Sequence, residues 1–128
     1  MTRQLEATFE VKSWDEAPVD AMARRFTRAS VTKTFHGDVE GSSLIEYLMA
    51  YADEEHAAFV GIERIDGTIQ GRSGSLVLRH VGTFEEGAAT ATVTVVERTG
   101  TEELAGVSGE GDFLADPGGS LALDLSFG

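Results

Sequence analysis

Hydrophobic and polar residues alternate along much of this chain with the period of two that is typical of β-strands. The alternation is clearest in residues 89–97, where threonines alternate with alanine and valines. The same period appears in residues 4–14 and in residues 120–127, each of which has one face of leucine, phenylalanine, alanine or valine. These patterns predict half-buried strands whose apolar faces meet in a common core.

A hairpin is predicted in the middle of the chain, in residues 57–85, with Gln70-Gly71 at its turn. A tight two-residue turn fixes the strand register, so Gly61 lies opposite His80. Glu63 is then a diagonal neighbour of His80 on the same face, within reach of its side chain.

The connection to the next strand indicates which face of the hairpin is the core. A four-residue connection from Glu85 to Ala88 places Val93 on the same face as His80. Two independent patterns therefore predict that Glu63 and His80 point inward. The prediction depends on turn length, because a slip of one residue reverses every assignment.

Residues 39–52 are predicted to form a strand that is apolar on both faces, so its orientation depends on the following loop. A four-residue loop would place Glu46 opposite Glu63, with Glu40 on the same inner face. A loop of odd length would turn Glu40 and Glu46 outward and Ile45, Tyr47 and Met49 inward. If the apolar set faced outward instead, it would indicate a subunit interface, and hence a homo-oligomer.

About eight strands separated by turn residues predict an all-β fold of one domain over residues 1–128. Residues 104–114 are a predicted strand that glycines interrupt. Residues 21–36 begin with helix-favouring residues and continue as a predicted strand rich in β-branched residues. Pairing the last strand with the first would close a single antiparallel barrel. The interior of an eight-stranded barrel holds side chains or one small ligand.

Charge and composition exclude several classes of function. The chain has 22 acidic and 10 basic residues and a formal net charge of −12, which disfavours nucleic acid and anionic membranes as partners. It has no cysteine, no apolar run of membrane-spanning length and no apolar signal-peptide core at its start, so a cytoplasmic protein is expected. No histidine spacing or glycine-rich fingerprint predicts a metal or a cofactor.

Glu63 and His80 are the candidate catalytic residues. A carboxylate inside an apolar barrel is costly unless it is paired, and an imidazole is a suitable partner. Such a pair could act as a general base or orient a ligand, or it could be a structural hydrogen bond. Residues on the same predicted inner face would line a ligand cavity: Phe59, Leu78 and Phe84.

Three polar residues are candidates for the cavity or its rim. His36 and Glu40 flank the turn Gly37-Asp38, which could lie at the mouth of a barrel. Glu46 joins this set if residues 39–52 have the register that turns it inward.

Several motifs resemble the bacterial domain of unknown function family 3224, and together they span nearly the whole chain. They are Phe35-His36-Gly37-Asp38-Val39-Glu40-Gly41-Ser42-Ser43, then Glu63-Arg64 with Gly67 and the run from Gly71 to His80, then Gly100-Thr101-Glu102-Glu103-Leu104-Ala105-Gly106. The resemblance implies a barrel similar to that of allene oxide cyclase, with eight antiparallel strands and a cavity. It implies no activity, because the family is uncharacterised and fold alone does not transfer one.

Three functions fit these expectations. The first is a binding module that holds an apolar or weakly polar small molecule inside the barrel. The second is an isomerase or cyclase that uses Glu63 and His80 for proton transfer. The third is a structural or interaction barrel with a filled interior and no ligand.

Overall fold

The computed structural model describes residues 2–20, 25–116 and 118–128, and these form one closed antiparallel barrel. Each strand is hydrogen-bonded to the next, and the last is hydrogen-bonded to the first. The strands are β1 (Arg3–Pro18), β2 (Phe26–Gly37), β3 (Val39–Asp53), β4 (His56–Ile69), β5 (Arg72–Glu85), β6 (Ala88–Val95), β7 (Ser108–Asp116) and β8 (Gly118–Ser126). The predicted eight-stranded barrel is confirmed.

The hairpin of β4 and β5 has the predicted register. Gln70 and Gly71 have φ angles of 47° and 81°, so both central residues of the turn are left-handed, as hairpin turns of this length favour. Gly61 pairs with His80. A second two-residue turn joins β5 to β6 and brings Val93 opposite His80, which confirms the predicted inner face.

A β-bulge in β1 changes which residues of that strand face the interior. Val11 pairs with Lys33 and Ser13 pairs with Thr32, so Lys12 is an extra residue in the ladder. Before the bulge, the odd-numbered residues face inward. Beyond it, Trp14 takes the inward direction and reaches the open end of the barrel.

A second irregularity, between Tyr51 and Asp53, fixes the orientation of β3. The extra residue has the effect of a loop of odd length between β3 and β4, so Ile45 lies opposite Glu63. Glu40 and Glu46 are exposed on the outer surface. The register that would have placed Glu46 inside the barrel is therefore wrong, because a bulge reverses the face of every residue before it.

The two ends of the barrel differ. At the end that carries the β4–β5 turn, the chain between β6 and β7 forms a 3-10 helix, Glu102–Leu104, whose Leu104 is buried in the core together with Val107. The predicted strand over residues 104–114 is therefore partly wrong, since β7 begins only at Ser108. The helix-favouring residues 21–24 lie outside the described residues.

The opposite end carries the β3–β4 and β5–β6 turns and is named here the cavity end. Within the described residues, no helix is long and apolar enough to cross a membrane.

Candidate functional site: a buried ionic cluster beneath an apolar cavity

Glu63 is the centre of a cluster that four neighbouring strands supply. His80 on β5 lies with Nε2 2.7 Å from Glu63 Oε1, and Ser43 on β3 donates its hydroxyl to Oε2 over 2.6 Å. Lys33 on β2 places Nζ 3.3 Å from the same Oε2. The side chains of Lys33, Glu63 and His80 are at most 2% exposed. The carboxylate is thus buried with the partners that a buried charge requires.

The surroundings keep Glu63 ionised. Burial alone raises the pKa of a carboxyl group, but the hydrogen bond from His80, the charge of Lys33 and the hydrogen bond from Ser43 outweigh it. They bring the pKa of Glu63 to about 2. Burial lowers the pKa of Lys33 from 10.5, and the negative charge of Glu63 opposes that change.

The His80 ring contacts both the Glu63 carboxylate and an aromatic ring. Its Nε2 donates to Glu63, and Nδ1 is buried without a hydrogen-bond partner among the described residues. The ring packs edge-on against Phe113, at a centroid distance of 5.4 Å.

The ammonium of Lys33 lies against two aromatic rings. Nζ is 4.5 Å from the ring centroid of Phe9 and 4.7 Å from that of Phe113, and the two rings stack on each other at 5.3 Å. Desolvated contacts of this kind stabilise a cation. Nζ is buried and has no well-aligned hydrogen bond in the part of the chain that the structure describes. The Nζ hydrogens of Lys33 are therefore available to donate to an acceptor on a ligand.

An apolar cavity of about 100 Å³ lies above this cluster, at the cavity end. Its lining consists of Phe9, Val11, Trp14, Val31, Lys33, Tyr47, Met49, Phe59, Phe84, Ala89, Phe113 and Ala115. Lys33 is the charged residue of this set, and Glu63 and His80 do not belong to it. Lys33 consequently connects the cavity to the buried pair.

A polar network holds Trp14 at the rim of the cavity. Its indole nitrogen donates to Glu16 Oε1 at 2.9 Å, and Thr27 and Tyr51 donate to Oε2 at 2.6 Å and 2.8 Å. The indole also stacks on Tyr47 at 5.9 Å. Sequence analysis missed this network, because the bulge that turns Trp14 inward has no clear sequence pattern.

Lys33 was missed for a different reason. It occupies the third place in an inward-facing alternation that runs Ala29, Val31, Lys33, Phe35. A lysine in the middle of such an apolar row is the pattern that could have identified it, because lysine is almost never buried without a partner.

The structure separates the residues that were predicted to share the cavity. Phe59 and Phe84 line it, whereas Leu78 is buried in the core away from it. His36 and Glu40 lie exposed at the other end of the barrel, with His36 Nε2 3.5 Å from Glu10.

Glu46 is on the outer surface, as described above, and is no part of the cavity. Across the described ranges, no group of three or more His, Asp or Glu residues is arranged to hold a metal ion.

Comparison with known proteins places the chain in a family. A family model described as "Protein of unknown function (DUF3224)" matches residues 5–127. The chain belongs to this family. A crystal structure of a DUF3224 protein of unknown function from Shewanella oneidensis MR-1 is similar to it, with 26% identity and a TM-score of 0.84. That alignment covers 100% of this chain and 99% of the Shewanella chain. No protein with a curated description matches the sequence.

Proposed function

We propose that this DUF3224 barrel binds a small, mainly apolar molecule in the cavity above Lys33. The observation that carries the proposal is an apolar cavity of about 100 Å³ whose lining includes one buried lysine. A cavity needs only about 10–15 Å³ to hold a water molecule, so this one has room for several heavy atoms. Its size fits a small ring, or the end of a larger molecule that enters from the rim.

Small residues at the cavity end leave this space open. Ala89 and Ala115 pair across β6 and β7, and Phe84 pairs with Ala89 on the other side. Larger side chains at the two alanine positions would fill this space. A purely structural barrel would be expected to have them, because protein cores pack densely. The alanines therefore support the binding function over the structural one.

Glu63 and His80 have a supporting role in this proposal. Neither lines the cavity, whereas both belong to the hydrogen-bonded cluster around which Lys33 is held. We therefore assign them to positioning Lys33. An isomerase or cyclase would need this pair to exchange protons with a bound ligand. The cavity does not reach the pair, so the geometry gives that function no support.

The test uses ring-sized probes such as toluene and cyclopentanone against the purified protein. The chain has one tryptophan, and Trp14 lines the cavity, so its fluorescence reports occupancy. A probe at about ten times its Kd should raise the free energy of unfolding by about 1.4 kcal/mol and Tm by about 5 °C.

Ala89→Leu should abolish both responses because it fills the cavity. Ala58→Leu is the matched control, since Ala58 is exposed on the outer face of β4. The proposal fails if no probe changes the Trp14 fluorescence and Tm of the wild-type protein. It also fails if Ala89→Leu binds the probes as well as Ala58→Leu does.

A further inference from the structure

We infer that the ligand of this cavity carries a neutral carbonyl oxygen that accepts a hydrogen bond from Lys33 Nζ. This inference rests on the proposed binding function and names the class of ligand. It is carried by the donor geometry of Lys33, by the charge balance beneath the cavity and by the size of the cavity.

The donor argument starts from the contacts of Nζ. The rings of Phe9 and Phe113 contact the ammonium, and Glu63 Oε2 lies 3.3 Å from it. None of these contacts is a well-aligned hydrogen bond, and the group is fully buried. A buried donor without an acceptor is costly, so an oxygen placed in the cavity would relieve that cost. The remainder of the lining carries no other charged donor; its polar groups are the Tyr47 hydroxyl and the indole nitrogen of Trp14, which already donates to Glu16.

The charge balance decides between a neutral and an anionic acceptor. The positive charge of Lys33 is already paired with the negative charge of Glu63, and no other residue of the cavity lining carries a positive charge. A carboxylate ligand would add a negative charge that no residue of the lining is free to offset. Burying a charge without its own counter-ion is strongly unfavourable, so a ketone or aldehyde oxygen fits better than a carboxylate.

The size of the cavity limits the group that carries the carbonyl. A cavity of 150 Å³ lined by apolar side chains can hold benzene, and the cavity here is about 100 Å³. Cyclopentanone has six heavy atoms, as benzene does, so this five-membered ring fills the cavity and extends to its open rim. Cyclopentanone presents a carbonyl, and methylenecyclopentane has the same shape with a CH₂ group in place of the oxygen.

The experiment follows binding of both probes through the methyl group of Met49, which lines the cavity. The chain has three methionines, so ¹³C-methyl labelling gives few signals, and Met49→Leu assigns the relevant one. The ketone should bind wild-type protein about tenfold more tightly than the hydrocarbon, as expected for one net hydrogen bond. Cyclopentanecarboxylate should bind more weakly than the ketone.

The double variant Lys33→Met, Glu63→Gln removes both charges together and so avoids leaving either one unpaired. In this variant the ketone should bind no more tightly than the hydrocarbon, because its buried carbonyl has lost the hydrogen bond, while hydrocarbon binding is retained. Lys12→Met is the control, because Lys12 is exposed on the outer surface and should leave the preference unchanged.

A second measurement needs no variant. The chain has two lysines, Lys12 and Lys33, so ¹³Cε-lysine labelling resolves them. Cyclopentanone should shift the Lys33 signal and leave that of Lys12 in place, and methylenecyclopentane should shift Lys33 far less.

The outcomes separate the inference from the proposed function. If neither probe perturbs Met49, the binding function fails and the inference fails with it. If both probes bind equally well, or if the carboxylate binds most tightly, the inference is overturned while the binding function stands.

Discussion

His80 faces Gly61 across the β4–β5 ladder, and the absent side chain of Gly61 makes room for a tyrosine ring beside the imidazole. A Cβ atom at Gly61 would lie 2.7 Å from Cδ1 of Tyr47. Tyr47 in turn packs edge-on against His80 at 6.1 Å and lines the cavity. Burial and the charge of Glu63 both raise the pKa of the Tyr47 hydroxyl, so this ring stays neutral. The glycine thus determines part of the cavity wall.

Replacing Gly61 by alanine should therefore displace the Tyr47 ring. The expected loss in the free energy of unfolding is about 1–3 kcal/mol, the usual cost of overpacking a core. Gly118→Ala is the matched control, because a Cβ there meets no atom within 4 Å. Urea denaturation measures both variants. An equal, small effect of the two substitutions would show that Tyr47 does not depend on Gly61.

The ion pair of Lys33 and Glu63 should show strong energetic coupling. Lys33→Met and Glu63→Gln each leave a buried polar partner uncompensated, so each should cost about 3–5 kcal/mol. The double variant should cost clearly less than the sum of the two. Denaturant unfolding of the four proteins measures the coupling energy.

The exposed pair of Lys12 and Glu10, with 3.7 Å between Nζ and Oε2, is the control for this cycle. Its coupling energy should be below about 1 kcal/mol, because solvent screens exposed charges. If the losses in the free energy of unfolding at Lys33 and Glu63 were additive, the two residues would not interact as the buried cluster requires.

Glu63 should also make the free energy of unfolding depend on pH in the acidic range. Its pKa is about 2 in the folded protein and near 4.5 when exposed, so the unfolded state binds a proton first as the pH falls. The stabilisation is fully present above pH 4.5 and is lost between about pH 4.5 and pH 2. The loss attributable to this residue is about 3 kcal/mol.

The measurement compares urea unfolding of wild-type protein and Glu63→Gln over that pH range. The difference between their free energies of unfolding should shrink as the pH falls, since the other carboxylates affect both proteins alike. A difference that stays constant from pH 6 to pH 2.5 would contradict the lowered pKa.

Local pattern was enough to predict much of the fold. The alternation of Val93 with its threonine neighbours and the Gln70-Gly71 turn together fixed the register that places Glu63 and His80 inside the barrel. This worked because two-residue turns allow one register and because strand side chains alternate strictly between faces.

The bulges could not be predicted in the same way. The extra residues at Lys12 and after Tyr51 each change which side chains of a strand point inward. No local sequence preference predicts either bulge. They decide that Trp14, Tyr47 and Met49 line the cavity and that Glu46 lies outside it.

The sequence by itself determined a closed all-β barrel with Glu63 and His80 on its inner face, because period-two alternation and turn residues are local properties. The tertiary structure alone decided that Lys33 stands between that pair and an apolar cavity. Its position depends on four strands meeting around one carboxylate, and on small alanines leaving space above it. Such an arrangement arises only when the barrel closes and residues distant in sequence share one interior.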